Sequence, residues 1–233
     1  MCRKPTCEPR NYAQEALGSR RETPISTHRF VLCRNTVDHD LNRTLGLRSK
    51  LHVLISTRDR GFVARKEDFV WQDGIFELVR LATARGFVPV VVTNQSGIGR
   101  GLYSLADYEA LTAWMLACFE AEGAPIARVY FCPFHPEAEI AEYRAAHPWR
   151  KPAPGMLMAA AADLDLELER SILVGDRWSD VGAARAAGLD EVVIVGPLAS
   201  QPAPSGDGPA LRKPLVRCDT IFAIICWLDR RGR

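Results

Sequence analysis

The chain has no run of apolar residues approaching the roughly 20 that cross a bilayer. Its first 50 residues also lack the apolar core of a secretory signal. Neither a membrane protein nor an exported one is expected, and the expected compartment is the cytoplasm. A disulfide framework is missing too. Seven cysteines, an odd number without tight pairing, suit a reducing compartment better than a set of bridges. Net charge is scarce, only +2 over 233 residues. That total hides an asymmetry: residues 1–50 hold ten Lys and Arg against five Asp and Glu, which is +5 and leaves −3 for the rest. The body of the chain is therefore not a basic nucleic-acid binder. No internal repeat is present. Neither a membrane nor a nucleic acid is an expected partner.

What is present is ample hydrophobic material, 47% of residues, enough for one α/β core. Residues 1–50 stand apart from it. Cys2, Cys7 and Cys33 are scattered among Arg, Thr, Pro and His with no sustained period of 2 or 3.6, so this segment reads as an irregular basic extension. From Leu51 the pattern becomes regular. Strands are expected at 51–55, 90–92, 128–132, 171–174 and 191–195. Helices are expected at about 75–85, stopped by Gly86, and from Ser104, where Asp107 completes a capping box. Three more are expected at about 155–164, 180–187 and 221–230. This alternation predicts a doubly wound parallel sheet, Rossmann-like, in a single domain over 51–197, with 198–233 adding a loop and a closing helix.

Three segments carry chemistry. In Pro89–Gly101, a β-branched run stops at Thr93, Asn94, Gln95 and Ser96, then meets three glycines within five residues and Arg100. A buried parallel strand that ends this way delivers hydroxyls, amides and open backbone to the carboxyl edge of the sheet, where α/β folds place ligands. It reads as a phosphate cradle, against the plainer reading of a polar strand-to-helix turn. In Arg150-Lys151-Pro152, the prolines that follow predict a helix start, which puts Lys151 at an anion-attracting terminus. In Val174–Asp180, Asp176 follows a strand and a glycine at the same edge. Together with Asp180 it could hold Mg²⁺, a hard ion that takes oxygen ligands; Asp176 could equally cap the next helix.

In this order, on these strand ends, the segments resemble the haloacid dehalogenase (HAD) superfamily of phosphatases. Within it, Thr93–Gly101, Cys132–Pro136 and Arg150–Met156 resemble the heptose-bisphosphate phosphatases, with the histidinol-phosphate phosphatases sharing much of the pattern. The resemblance covers roughly 59–197. It implies a Mg²⁺-dependent phosphatase acting on a sugar phosphate, in which an Asp attacks phosphorus and a second Asp, two residues on, acts as acid and base. It also implies that Thr93 holds a phosphoryl oxygen, Lys151 neutralises charge and Asp176 ligates the metal. Asn94, Gln95, Ser96, Arg150 and Arg177 would bind substrate.

The sequence departs from this pattern twice. An Asp-x-Asp-Gly should stand shortly before Gly61, but Leu51–Val53 offers none. The nearest Asp-x-Asp is Asp38-His39-Asp40, a dozen or so residues too early. A shifted reading frame or misplaced start upstream would explain both this and the abrupt change of composition, and a pseudoenzyme that binds phosphosugar without turning it over is the alternative. Many relatives also hold zinc through Cys-x-His and Cys-x-Cys. Here Phe134 stands for the His, and His147-Pro148-Trp149 for the Cys pair, so zinc is expected to be absent.

Overall fold

In the computed structural model, residues 63–201 and 213–231 are described in full and Phe30–Cys33 by backbone. The predicted strand at 51–55 and the pair Asp38 and Asp40 lie outside the described residues. Six strands form one sheet: β1 (Phe30–Cys33), β2 (Val88–Asn94), β3 (Arg128–Cys132), β4 (Ile172–Gly175), β5 (Glu191–Val195) and β6 (Val216–Cys218), in the order β3-β2-β1-β4-β5-β6. The β2·β3, β4·β5 and β5·β6 pairs are parallel.

Packing around the sheet follows from side-chain alternation. Val90 and Val92 of β2, Leu173 of β4, and Val192 and Ile194 of β5 face one core. That core is completed by α3 (Gly155–Leu164) and α4 (Trp178–Ala186). Val91, Ile172, Val174, Val193 and Val195 face the other, against α1 (Ile75–Ala84), α2 (Leu105–Ala121) and α5 (Ile221–Arg230). A strand buried on both faces has to be apolar at every position, as Val90–Val92 and Val192–Val195 are. The arrangement is the expected α/β doubly wound one, with helices on both faces.

The helix ends obey local chemistry. Ser104 and Asp107 make the predicted capping box on α2, with the Ser104 hydroxyl accepting from the Asp107 N–H at 3.1 Å and Asp107 Oδ2 accepting from the Ser104 N–H at 2.9 Å. Thr220 caps α5 by accepting from the Ala223 N–H.

Two features were not anticipated. The three-residue strand β6 follows directly on the expected 198–215 loop, where no strand was predicted. The other is β1, four residues within the segment read as irregular, which fills the centre of the sheet antiparallel to both neighbours. Its register sets Phe30 against Val91 and Cys33 against Val88. The amino end of β1 is thus at the edge where β2 and β4 end, and its carboxyl end is at the opposite edge. No helix of the described residues is long and apolar enough to cross a membrane.

Candidate active site

The carboxyl ends of β2 and β4 and the approach to α3 meet at one edge through a chain of contacts. Lys151 is the hub. Its Nζ donates to the Val92 carbonyl at 2.9 Å and pairs with Asp180 Oδ1 at 2.8 Å. The two side chains are 1% and 0% exposed. The main chain of Lys151 is fixed as well: its N–H donates to Asn94 Oδ1 at 3.0 Å, and Asn94 Nδ2 donates to its carbonyl at 3.1 Å. Asn94 therefore acts as a two-way clip that holds Lys151 against the end of β2.

Asp180 is equally fixed. Its Oδ2 accepts from the Arg177 N–H at 3.1 Å, closing the first turn of α4. Gly175 lies under it, and a Cβ there would come 2.4 Å from Asp180 Oδ2, a distance no real contact shows. Both Asp180 oxygens are thus engaged, one by an ammonium and one by an amide. In this structure Asp180 is the counter-ion of Lys151, so the fold pairs it with the lysine where the sequence paired it with Asp176. Asp176, half-buried directly after Gly175, is the carboxylate placed at the edge itself. Mg²⁺ commonly takes one or two protein carboxylates and completes its shell with water and phosphate oxygens. Asp176 fits that demand as a single hard donor, although among the described residues no group of three or more His, Cys, Asp or Glu gathers to cage an ion.

Thr93 is fully buried at the end of β2. Its Oγ1 accepts from Gln95 Nε2 at 3.1 Å, and Gln95 Oε1 accepts from the Tyr103 hydroxyl at 2.6 Å. The expected substrate-binding set therefore divides. The amides of Asn94 and Gln95 serve Lys151, Thr93 and Tyr103, while Ser96 opens the helical turn Ser96–Gly99. Two of the cradle glycines answer to packing. A Cβ on Gly97 would meet the Tyr103 ring at 2.2 Å, and one on Gly99 would meet the Pro133 carbonyl at 2.7 Å. Only Gly101, at φ +67°, needs glycine for its backbone conformation.

A second cationic place lies in the loop after β3. Arg100 Nη2 is 3.4 Å from His135 Nε2. Arg150 Nη1 donates to the Phe134 carbonyl at 3.2 Å. Burial, then Arg150 and Arg100, hold the His135 imidazole below its ordinary range. Burial also lowers Arg150, and Arg100 adds to that. Arg100 Nε is buried and meets no hydrogen-bond partner among the described residues. Sequence reasoning included Arg100 in the cradle but did not single out its cluster with His135; two guanidiniums 50 positions apart give no local signal.

Among the described residues the donors left from the zinc pattern, Cys132, His135 and His147, do not gather into a group that could hold a metal ion. Phe134 and His147 stack with centroids 4.2 Å apart and planes 5° off parallel. His147 Nδ1 accepts from the Trp149 N–H, and His135 Nδ1 from the Glu137 N–H. Burial pushes the Cys132 thiol up, against smaller opposing effects from a main-chain bond at Phe134 and from Arg150.

Comparison with known proteins is consistent with this geometry. A family profile described as HAD-hydrolase-like matches residues 148–196. The chain is 50% identical over 141 residues to the D-glycero-alpha-D-manno-heptose-1,7-bisphosphate 7-phosphatase of Burkholderia mallei, covering 60% of this chain and 75% of that one. It is 39% identical over 137 residues to the D-glycero-beta-D-manno-heptose-1,7-bisphosphate 7-phosphatase of Escherichia coli K12, covering 59% and 72%. Among solved structures, the D,D-heptose 1,7-bisphosphate phosphatase of B. bronchiseptica, in complex with magnesium and phosphate, superposes with a TM-score of 0.61 at 25% identity, over 76% of this chain and 93% of that one.

Proposed function

Because this chain belongs to the HAD-like phosphatases, we propose that it takes a sugar bisphosphate and releases one phosphate by Mg²⁺-dependent monoester hydrolysis, slowed by loss of the family's nucleophile motif. The substrate inferred is D-glycero-D-manno-heptose 1,7-bisphosphate, losing its 7-phosphate. The observation that carries a bisphosphate is the presence of two cationic places on one side of the sheet. One is Lys151 at the end of β2. The other is Arg100 with Arg150 around His135, where the buried Arg100 Nε meets no partner among the described residues. Higher identity to the α-anomer enzyme than to the β-anomer one, 50% against 39%, favours the α anomer.

In this reading the Thr93 hydroxyl and the Lys151 ammonium hold the phosphoryl group to be lost. Clipping by Asn94 and pairing with Asp180 keep the ammonium in place before substrate arrives, so no reorganisation is needed at the moment of reaction. Asp176 would hold Mg²⁺, which when bound offsets the negative charge of the phosphoryl oxygens. Arg100 and Arg150 would receive the second phosphate, and Arg177 would reach the sugar. The family's chemistry needs a carboxylate at the carboxyl end of the central strand. Here β1 runs the other way, and its carboxyl end lies beside Val88. Losing a covalent nucleophile commonly costs several orders of magnitude in rate, so tight binding with slow turnover is expected.

The test is phosphate release from both anomers with Mg²⁺, beside calorimetric titration of each. Micromolar binding, weak turnover and loss of both in Lys151→Met are expected. Ordinary enzymatic rates that vanish in Asp38→Asn would overturn the slow-turnover reading. Absence of bisphosphate binding would overturn the substrate.

A further inference from the structure

Resting on the reading that Arg100 and Arg150 receive the second phosphate, we propose that His135 is a third binding residue there, donating its Nε2–H to a phosphate oxygen. An uncharged imidazole carries one proton, and which nitrogen holds it is set by the partner of the other. His135 Nδ1 accepts from the Glu137 N–H at 3.0 Å. A main-chain amide can only donate, so Nδ1 is bare and the proton sits on Nε2. Arg100 Nη2 lies 3.4 Å from that nitrogen, and a guanidinium has only protons to offer. Two donors therefore face each other, and neither can satisfy the other.

The rest of the cluster is of the same kind. Arg100 Nε is buried and meets no hydrogen-bond partner among the described residues. Arg150 Nη1 donates to the Phe134 carbonyl at 3.2 Å, which brings its guanidinium beside the residue before His135. The charges that act on Arg150 are those of Cys132 and Arg100, with no carboxylate among them. Glu137 acts on the His135 ring more weakly than either arginine, and it is exposed. A phosphate monoester brings several acceptor oxygens on one group, so it can take bonds from the imidazole and from both guanidiniums at once. An uncharged ring suits this place. Arg100 already disfavours the charge on Arg150; a third cation would add to that repulsion, whereas a neutral N–H adds a directional bond without it.

The ring is also held ready. The His135 N–H donates to the Tyr143 carbonyl at 3.1 Å, and the His135 carbonyl accepts from the Ala138 N–H at 3.0 Å. The Ile140 N–H donates to the Gly99 carbonyl at 3.0 Å, which ties this loop to the turn that leads into Arg100. His135 thus joins two segments 35 positions apart in one anion-binding place, a role outside the substrate-binding set expected from the sequence.

The test is calorimetric titration of the full chain with the α anomer of heptose 1,7-bisphosphate and Mg²⁺, at about pH 8, where the ring is neutral. His135→Phe keeps a ring and removes the donor, so affinity should fall about tenfold, the size of one hydrogen bond to a charged group. His135→Gln puts an amide N–H₂ where Nε2 stood, and it should stay within about threefold of the parent. A residue that merely fills space would show the reverse order. Affinity unchanged in His135→Phe, or weakened as much in His135→Gln, overturns the proposal.

Arg100→Ala separates this inference from the reading beneath it. No binding by the parent, or binding that Arg100→Ala leaves unchanged, ends that reading and this inference with it. If Arg100→Ala weakens binding and His135→Phe does not, the reading stands and the inference fails. Should His135→Phe fail to fold, NMR of the imidazole nitrogens in the unaltered chain carries the test. His135 should show a protonated Nε2 and a bare Nδ1, and its Nε2–H signal should shift downfield on saturation with bisphosphate. A proton on Nδ1, or an Nε2–H that does not move, overturns the proposal.

Discussion

Asp180→Asn should destabilise the protein far more than a surface charge change would. Lys151 Nζ and Asp180 Oδ1 are 2.8 Å apart and essentially inaccessible to water, so the substitution takes from a buried ammonium the carboxylate that faces it. Removing one partner of a buried pair costs about 3–5 kcal/mol. The Val92 carbonyl still accepts from Lys151, and the new amide oxygen can still accept from the Arg177 N–H, so about 3 kcal/mol is expected. At a urea m-value of about 2 kcal/mol/M, the unfolding midpoint should fall by about 1.5 M, read by tryptophan fluorescence. Lys151→Met should cost a similar amount. The double variant Lys151→Met with Asp180→Leu should cost less than the two singles together, with a coupling of about 2 kcal/mol. Single variants each within about 1 kcal/mol of the parent, and additive, would refute the view that this pair holds the site together.

Three further outcomes are expected. Gly175→Ala should lower stability by about 2 kcal/mol or more, because its Cβ would overlap Asp180; a melting temperature within a degree of the parent counts against the packing described. Elemental analysis should find no stoichiometric zinc, and EDTA should leave the unfolding midpoint unchanged, whereas zinc lost in Cys132→Ala would reverse the reading of the 133–150 loop. The His135 ring should titrate below its ordinary 6.5 in the free protein, so its contribution to stability diminishes as pH falls through that range, where the unfolded chain binds the extra proton. Bisphosphate beside Arg100 and Arg150 should move this titration upward in NMR, and an unmoved His135 would argue against an anion at that place.

Much of the framework is legible because its signals are local. β3, α3, β5 and α5 start and stop where β-branched runs, glycine and the Thr220 cap place them. The capping box of Ser104 and Asp107 is written in four residues. Two things resist such reading. β1 and β6 are four and three residues long, too short to show a period, and the direction of β1 depends on its two neighbours rather than on its own composition. Side-chain allegiance is the other. Asn94 and Gln95 can be recognised as amides at a strand end, but that one clips Lys151 and the other meets Tyr103 depends on partners 57 and 8 positions away. The same holds for Asp180, which sequence pairs with Asp176 as a ligand and the fold pairs with a lysine 29 residues earlier.

The placement of Lys151 also has a consequence for the order in which the chain can fold. Its ammonium needs the Val92 carbonyl, 59 positions back, and the Asp180 carboxylate on α4. A partly collapsed chain in which α4 has not docked would have no dry place for that charge, and burying it unpaired is costly. Closure of this edge must therefore wait until both halves of the sheet are joined, a non-local event of the kind that makes such topologies slow. Phosphate binding then reports complete assembly, and by binding only the finished state it draws the folding equilibrium toward it.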